Sequence, residues 1–364
     1  MAGPLAGLRI VEMGGIGPAP FAGMMLADHG ADVIRVDRPG TPHDPHDPLL
    51  RSRTSIILDL KSADDIATLR ALCRTADGLM EGFRPGVMER LGLGPDVLLT
   101  DNPKLVYGRM TGWGQTGPWA AAAGHDIDYI ALSGVLGMVG VAGQKPVPPL
   151  NLAGDFGGGG MMLAFGMVSA ILSARMSGQG QVIDCAMTDG SALLSAMMWG
   201  FRSAGSWAEQ HGTNLLDGGA PFYDTYATAD GKAMAIGAIE PQFYALLRQV
   251  TGTDGDPLFD AQHDQALWPR QKAALAAIFA TRTRDEWADA FGISDACAAP
   301  VLTMSEAMAH PHNRARDTFI SVDGMVQPSP APRYSGTPCA PPRAPSRPGV
   351  DTQSVREALT VRPE

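Results

Sequence analysis

The first third of the chain alternates between two hydrophobic periods. Short apolar runs at 8–13, 32–37, 55–60, 76–81 and 105–110, bounded by glycine, proline or acidic residues, read as strands. Longer stretches at 18–29 and 62–75 carry helical patterning. The first has Pro18 near its start and Gly30 just past its end, and the second has Asp64 and Asp65 in its first turn. Strands alternating with helices predict a parallel sheet covered on both faces.

From Thr111 the chain is rich in Gly and Pro, and a helix is expected from about Asp126. A second Pro-rich loop, 145–149, leads through Asp155 and the glycine run 157–160 to an apolar helix. A further strand is expected at 181–186 and helix at 189–206. Residues 222–240 carry strand signals and 241–310 mainly helical ones, the pattern of a smaller second domain. The Pro-dense tail 327–349 reads as an irregular returning connection.

Composition narrows the function. The 364 residues are 45% apolar and 18% charged, ordinary for a globular chain with a sizeable core. A formal net charge of -10 argues against general binding to nucleic acid or anionic membrane. An anionic ligand therefore needs a local basic pocket. Cys73, Cys185, Cys297 and Cys339 lie far apart with no zinc-type spacing, which predicts reduced thiols and no metal site. The N-terminus lacks the pattern of a secretory signal. The longest apolar stretch, 161–174, is interrupted by Gly166 and Ser169 and falls short of the ~20 residues that span a bilayer, so a buried helix is expected.

Several residues carry candidate chemistry. Gly15 and Gly17 follow the first strand and open a helix, with Asp37 ending the next strand, as in dinucleotide-binding sites. Pro20 stands where the third glycine belongs, and Arg38 after Asp37 suits a phosphate better than a ribose, so a nicotinamide cofactor is disfavoured. Arg38, Lys61 and Arg84 each follow a strand, and Arg90 lies nearby. Cations repeated along one rim suit a polyphosphate, since ligands of open α/β sheets bind outside the carboxyl ends of the strands. His125 sits where a glycine-containing loop enters a helix that Asp126 is placed to cap. Imidazole passes protons near neutral pH, and the free N–H groups of a helix start suit a developing oxyanion. Asp155 precedes a glycine run, which fits an N-cap but also gives a ligand close access to a carboxylate. Glu240 ends a strand-like run; the many methionines between 161 and 198 suit core packing and, being adaptable, also tolerate varied acyl tails. His310 and His312 lack the further ligands a metal needs.

Taken in order, the segments LRIVEMGGIGPAPFAGMMLADHGADVIRVDRP, LDLK, EGFRPGVMERLG, RMTGWGQTGP, AGHDIDYI, NLAGDFGGG, DGGAPFYDTY and IGAIEPQFY resemble the family III CoA-transferase superfamily nearly end to end. The GHD stretch is similar to the α-methylacyl-CoA racemase branch. The resemblance implies an α/β fold: a Rossmann-like large domain with a parallel sheet plus a smaller α+β domain, in an interlocked homodimer. It places a large CoA-binding domain at 1–188, a linker at 189–221, the small domain at 222–315, a returning linker at 316–331 and a C-terminal segment at 332–364 that rejoins the large domain.

It further implies an isomerase of lipid metabolism that interconverts (2R)- and (2S)-2-methylacyl-CoA thioesters through an enolate. His125 and Asp155 would be the acid/base pair, with Glu240 orienting His125. Arg38, Leu58, Asp59, Leu60, Lys61, Gly82, Phe83, Arg84, Arg90, Gly124, Asp126, Ile127, Asp128 and Tyr129 would hold coenzyme A. Thr54, Ser55 and Phe83 depart from residues common in near relatives. No cofactor beyond the substrate's own coenzyme A is expected, nor any nucleic-acid or membrane partner. Val361–Arg362–Pro363–Glu364 is not a peroxisomal address, so a bacterial cytoplasmic setting is expected. The alternatives are CoA transfer with Asp155 as nucleophile, a dehydrogenase, and a non-catalytic CoA-binding protein.

Overall fold

The computed structural model describes residues 2–360; the C-terminal residues on which the address reading falls lie outside the described residues. The chain divides into two compact units. The first comprises the residues up to Ser133, Pro149–Ser195, and the residues from Ala315 on; the second comprises Gly134–Pro148 and Ala196–Arg314.

In the first unit six parallel strands form one sheet: β1 (Arg9–Met13), β2 (Asp32–Asp37), β3 (Thr54–Ile57), β4 (Gly78–Glu81), β5 (Val106–Thr111) and β6 (Val182–Ala186). Their order is β3-β2-β1-β4-β5-β6. The chain winds outward to β3 and then, from β4, in the opposite direction, so a crevice opens at the carboxyl ends of β1 and β4. The helices are α1 (Pro18–Asp28), α2 (Ala63–Arg74), α3 (Val87–Arg90), α4 (Pro95–Asp101), α5 (Asp126–Leu132), α6 (Met162–Ser177) and α7 (Met187–Leu194). Local chemistry sets several ends: Pro18 opens α1, and the Ser62 hydroxyl accepts from the Asp65 N–H to cap α2.

Both faces of the sheet are buried, by α1 and α6 on one side and by α2 and α4 on the other. Beneath the glycine turn lies a paired charge cluster. Glu12, with no exposed surface, meets Arg35 at 2.6 Å and Arg53 at 2.9 Å. Arg35 also donates to the Gly15 carbonyl, and Arg53 to that of Pro20 at 2.6 Å. Pro20, the departure from the dinucleotide pattern, thus serves as an acceptor that holds α1 to this cluster. Removing one partner of such a buried pair costs about 3–5 kcal/mol.

The longest helix differs from expectation. It starts at Leu152, not after the glycines: Leu152–Met161 winds in a wider π form and continues into α6, giving 26 helical residues, long and apolar enough by composition to cross a membrane. Glycines 157–160 read as a loop in sequence, yet here they are what lets the helix lie against its neighbour. A Cβ on Gly190 of α7 would overlap the Gly158 carbonyl.

The tail is irregular from 329 to 348, as expected, and an unexpected pair of strands precedes it. Phe319–Val322 and Met325–Pro328 pair as a hairpin. Arg51, paired with Asp28 at 2.5 Å, anchors it through Gln327 and the Pro328 carbonyl. Asp351 and Thr352 then accept from the Ser55 and Ile57 N–H groups of β3, and a helix follows at Thr352–Thr360.

The second unit has an antiparallel sheet, β7 (Tyr223–Ala227), β8 (Ala233–Gly237) and β9 (Ala298–Pro300). Around it lie α8 (Ala196–Ser203), α9 (Pro241–Thr251), α10 (Trp268–Phe279), α11 (Arg284–Phe291) and α12 (Met304–Ala309). Its core is aromatic: Tyr226 stacks on Phe279 at 5.0 Å, and Trp287 and Phe291 close around that pair. It is an α+β arrangement, with one strand, β9, inside the stretch expected to be mainly helical.

Candidate active site

A cavity of about 510 Å³ opens at the crevice between β1 and β4, walled by the Gly14–Ala19 turn, the segment after β4 and the segment after β5. His125 and Asp155 both line it. They arrive there on different supports.

His125 is the last extended residue before α5, and its N–H donates to Asp128 Oδ2 at 2.9 Å. The residue is exposed, and among the described residues its imidazole takes no hydrogen-bond partner. Tyr129 holds the loop in place by donating its hydroxyl hydrogen to the Gly124 carbonyl, while its ring meets Trp113 edge-on at 4.8 Å. Gly112 and Gly124 leave no room for a Cβ beside that ring. Asp126 does not cap the helix as its position suggests. It is the first helical residue, 7% exposed, and its Oδ2 accepts from the Asp155 N–H at 2.7 Å. The cap position belongs to His125, one residue earlier.

Asp155 lies in the first turn of the wide helix and is half-buried. It is not an N-cap. Asn151 donates to its Oδ2 at 3.1 Å, and a Cβ on Gly17 would come within 3.3 Å of the same oxygen. Gly17 sits at φ 72°, a conformation that glycine adopts without strain. Phe156 stacks on Phe21 of α1 at 4.6 Å. Burial pushes the Asp155 carboxyl above its ordinary range; the Asn151 hydrogen bond pulls against that, Asp126 adds to it, and His125 opposes it.

The remaining expected residues fall in three groups. Gly82, Phe83, Arg84, Gly124 and Tyr129 line the cavity, and the Phe83 N–H is fixed on Glu81 at 2.7 Å. Arg38 and Lys61 are exposed at the same carboxyl edge, after β2 and β3, with Arg90 at the end of α3. With strands ~4.8 Å apart, the edge from Arg84 to Lys61 covers about 15 Å, a span that suits an elongated anion. Leu58 turns its side chain into the core, Asp59 and Leu60 form the turn into α2, and Ile127 and Asp128 lie on the outer side of α5. Glu240 belongs to the second unit and stands, exposed, at the entry to α9.

Sequence reasoning missed Asn151, the Asp126 contact and Gly17 as neighbours of Asp155. Asn151 precedes Asp155 by four residues, a signal that becomes legible only once the glycine run is taken as helix. Among the described residues no cluster of His, Cys, Asp and Glu is placed to hold a metal. Burial raises the Cys73 and Cys185 thiols to about 12, which leaves them inert packing groups. A half-buried carboxyl and an exposed imidazole on one cavity can exchange protons with a bound carbon acid.

Comparison with known proteins bears on this geometry. The model of CoA-transferase family III matches residues 5–352. The α-methylacyl-CoA racemase of Mus musculus is 51% identical over 93% of this chain and 88% of its own length; that of Homo sapiens is 48% identical over the same shares. A CAIB/BAIF family protein from Brucella suis superposes with a TM-score of 0.83 at 25% identity, over 99% of this chain and 100% of the other.

Proposed function

The chain belongs to CoA-transferase family III, and we propose that within it this protein is a racemase interconverting (2R)- and (2S)-2-methylacyl-CoA thioesters. The observation that carries the reading is the shared cavity: one imidazole and one carboxyl, backed by 51% and 48% identity to racemases. The coenzyme's phosphates would lie along the rim of Arg38, Lys61, Arg84 and Arg90. The pantetheine arm would pass Gly82–Arg84 and Gly124–Tyr129 into the cavity.

A thioester acidifies its α-hydrogen only weakly, so the enolate must be stabilised as it forms. The Asp126 and Ile127 N–H groups at the start of α5, ahead of the first bonds back to the His125 carbonyl, would meet the enolate oxygen. His125 takes the α-proton from one face and Asp155 returns a proton to the other; for the opposite epimer the roles reverse. The thioester itself delocalises the charge, so no further cofactor is required. Burial of Asp155 serves this chemistry, because a raised carboxyl holds a proton more readily when it acts as the acid. CoA transfer would need an ionised nucleophile at Asp155 and gives His125 no task.

The protein would act as a homodimer, interlocked as in the resemblance above, with Glu240 of one copy orienting His125 of the other. An exposed apolar stripe on the long helix supports a covering copy: Met161, Phe165, Leu172 and Met176 are 51–76% exposed. A cytoplasmic setting and a place in lipid metabolism accord with this reading.

The test is a single-enantiomer 2-methylacyl-CoA incubated in heavy water. The reading expects label uptake together with stereochemical inversion. Neither label nor inversion, with a new thioester formed when a free acid is added, would replace it with CoA transfer.

A further inference from the structure

We infer that Asn151 is a positioning residue that divides the labour of the Asp155 carboxyl: Oδ2 is held, and Oδ1 carries the exchanging proton. The inference rests on the acid/base reading of Asp155 given above.

Two contacts converge on Oδ2 of the group, and two more hold its backbone. Asn151 Nδ2 donates to Oδ2 at 3.1 Å. Gly17 presents its Cα hydrogens to the same oxygen, since a Cβ there would come within 3.3 Å of Oδ2 and 3.7 Å of the carboxyl carbon. The Asp155 N–H is fixed on Asp126, and the Phe21–Phe156 stack pins the next residue. Rotation of the carboxyl is thereby restricted, and Oδ2 faces protein. An amide N–H only donates, so Oδ2 remains the acceptor whether the acid is ionised or neutral. The proton of the neutral acid then resides on Oδ1. Asn151 is the residue just before the helix, and four positions on, Asp155 shares its face.

The same bond has a second effect. It favours the ionised form and works against burial and Asp126, so it sets how readily Asp155 gives up its proton. Without the donor, the carboxyl holds its proton to higher pH. The acid limb of the rate profile, where that carboxyl ionises, then moves up.

The experiment compares kcat, KM and the pH profile of α-proton exchange for Asn151→Ala, Asn151→Asp and the unaltered chain, with Asp155→Ala in parallel. The expected result for Asn151→Ala is a loss of about 10-fold in kcat, in line with a hydrogen bond to a charged group. KM should stay within about twofold, and the acid limb should move to higher pH. Asn151→Asp keeps the shape but replaces the donor with a like charge, so its limb should move further; a packing role alone would leave it unchanged. Should Asn151→Ala fold poorly, Asn151→Asp alone decides. Unshifted limbs and unchanged kcat in the folded variants, with Asp155→Ala inactive, would overturn this inference and leave the racemase reading intact. Undiminished exchange in Asp155→Ala would overturn both.

Discussion

His125 and Asp155 reach one cavity from opposite kinds of support. The His125 arm is a loop end: exposed, its backbone tied to Asp128, its ring unfastened. The Asp155 arm is packed helix, held at the backbone by Asp126, at the carboxyl by Asn151 and at the next residue by an aromatic stack. Asp126 joins the two, being both the first residue of α5 and the acceptor for Asp155. The difference teaches that the first unit alone fixes one of the two candidate groups in position. The other, His125, has only its backbone tied to that unit.

The contrast breaks most visibly in activity. Asp155→Ala and His125→Ala should each lose about 10²–10⁴ of the α-proton exchange rate, the usual weight of a positioned acid or base. Because the His125 arm is open, added imidazole should restore part of the His125→Ala rate, while formate should do little for Asp155→Ala. The reverse pattern of rescue, read by deuterium uptake, would invert the comparison.

The next largest effect belongs to the packed arm. Gly190→Ala drives a Cβ into the Gly158 carbonyl, and should cost about 3 kcal/mol in denaturant unfolding, at the upper end for overpacking. A neutral result would mean that close helix contact is not what seats Asp155. On the loop arm, Asp128→Ala removes the bond to the His125 N–H and should cost only about 1 kcal/mol in a thermal melt, as for a lost helix cap, with a far smaller loss of exchange than at His125 or Asp155. A large loss of exchange there would show the imidazole arm to be as firmly built as the other.

The sequence announces most of what local chemistry decides. Asp32–Asp37 is a strand as expected, Ser62 caps α2, and the turn 14–17 joins β1 to α1. Elements without a local signature escaped. Ala298–Pro300 is a strand because β8 pairs with it, and nothing in Ala-Ala-Pro predicts that. The hairpin Phe319–Pro328 is held in part by Arg51, 276 residues from Gln327 in sequence. Glycines 157–160 mimic a loop because they lack side chains, whereas their helix needs that lack to touch α7. In the site, the type of each residue was legible but its neighbours were not. Position alone singles out His125, Asp155 and Arg84, but it suggests a cap at Asp126 and gives Asn151 no signal, because both act across the fold.

The bonds from Asp351 and Thr352 to β3 bear on how the protein is made. Strand β3 forms one border of the parallel sheet, and the groups it offers there are met by residues almost 300 positions downstream. While the ribosome is still extending the chain, that border is open and able to pair with any passing strand. The first unit is the earliest to emerge and the last to close. Shortening the gene from its 3′ end would therefore leave a sheet with an unsealed edge, prone to stick to its neighbours, rather than a slightly smaller enzyme.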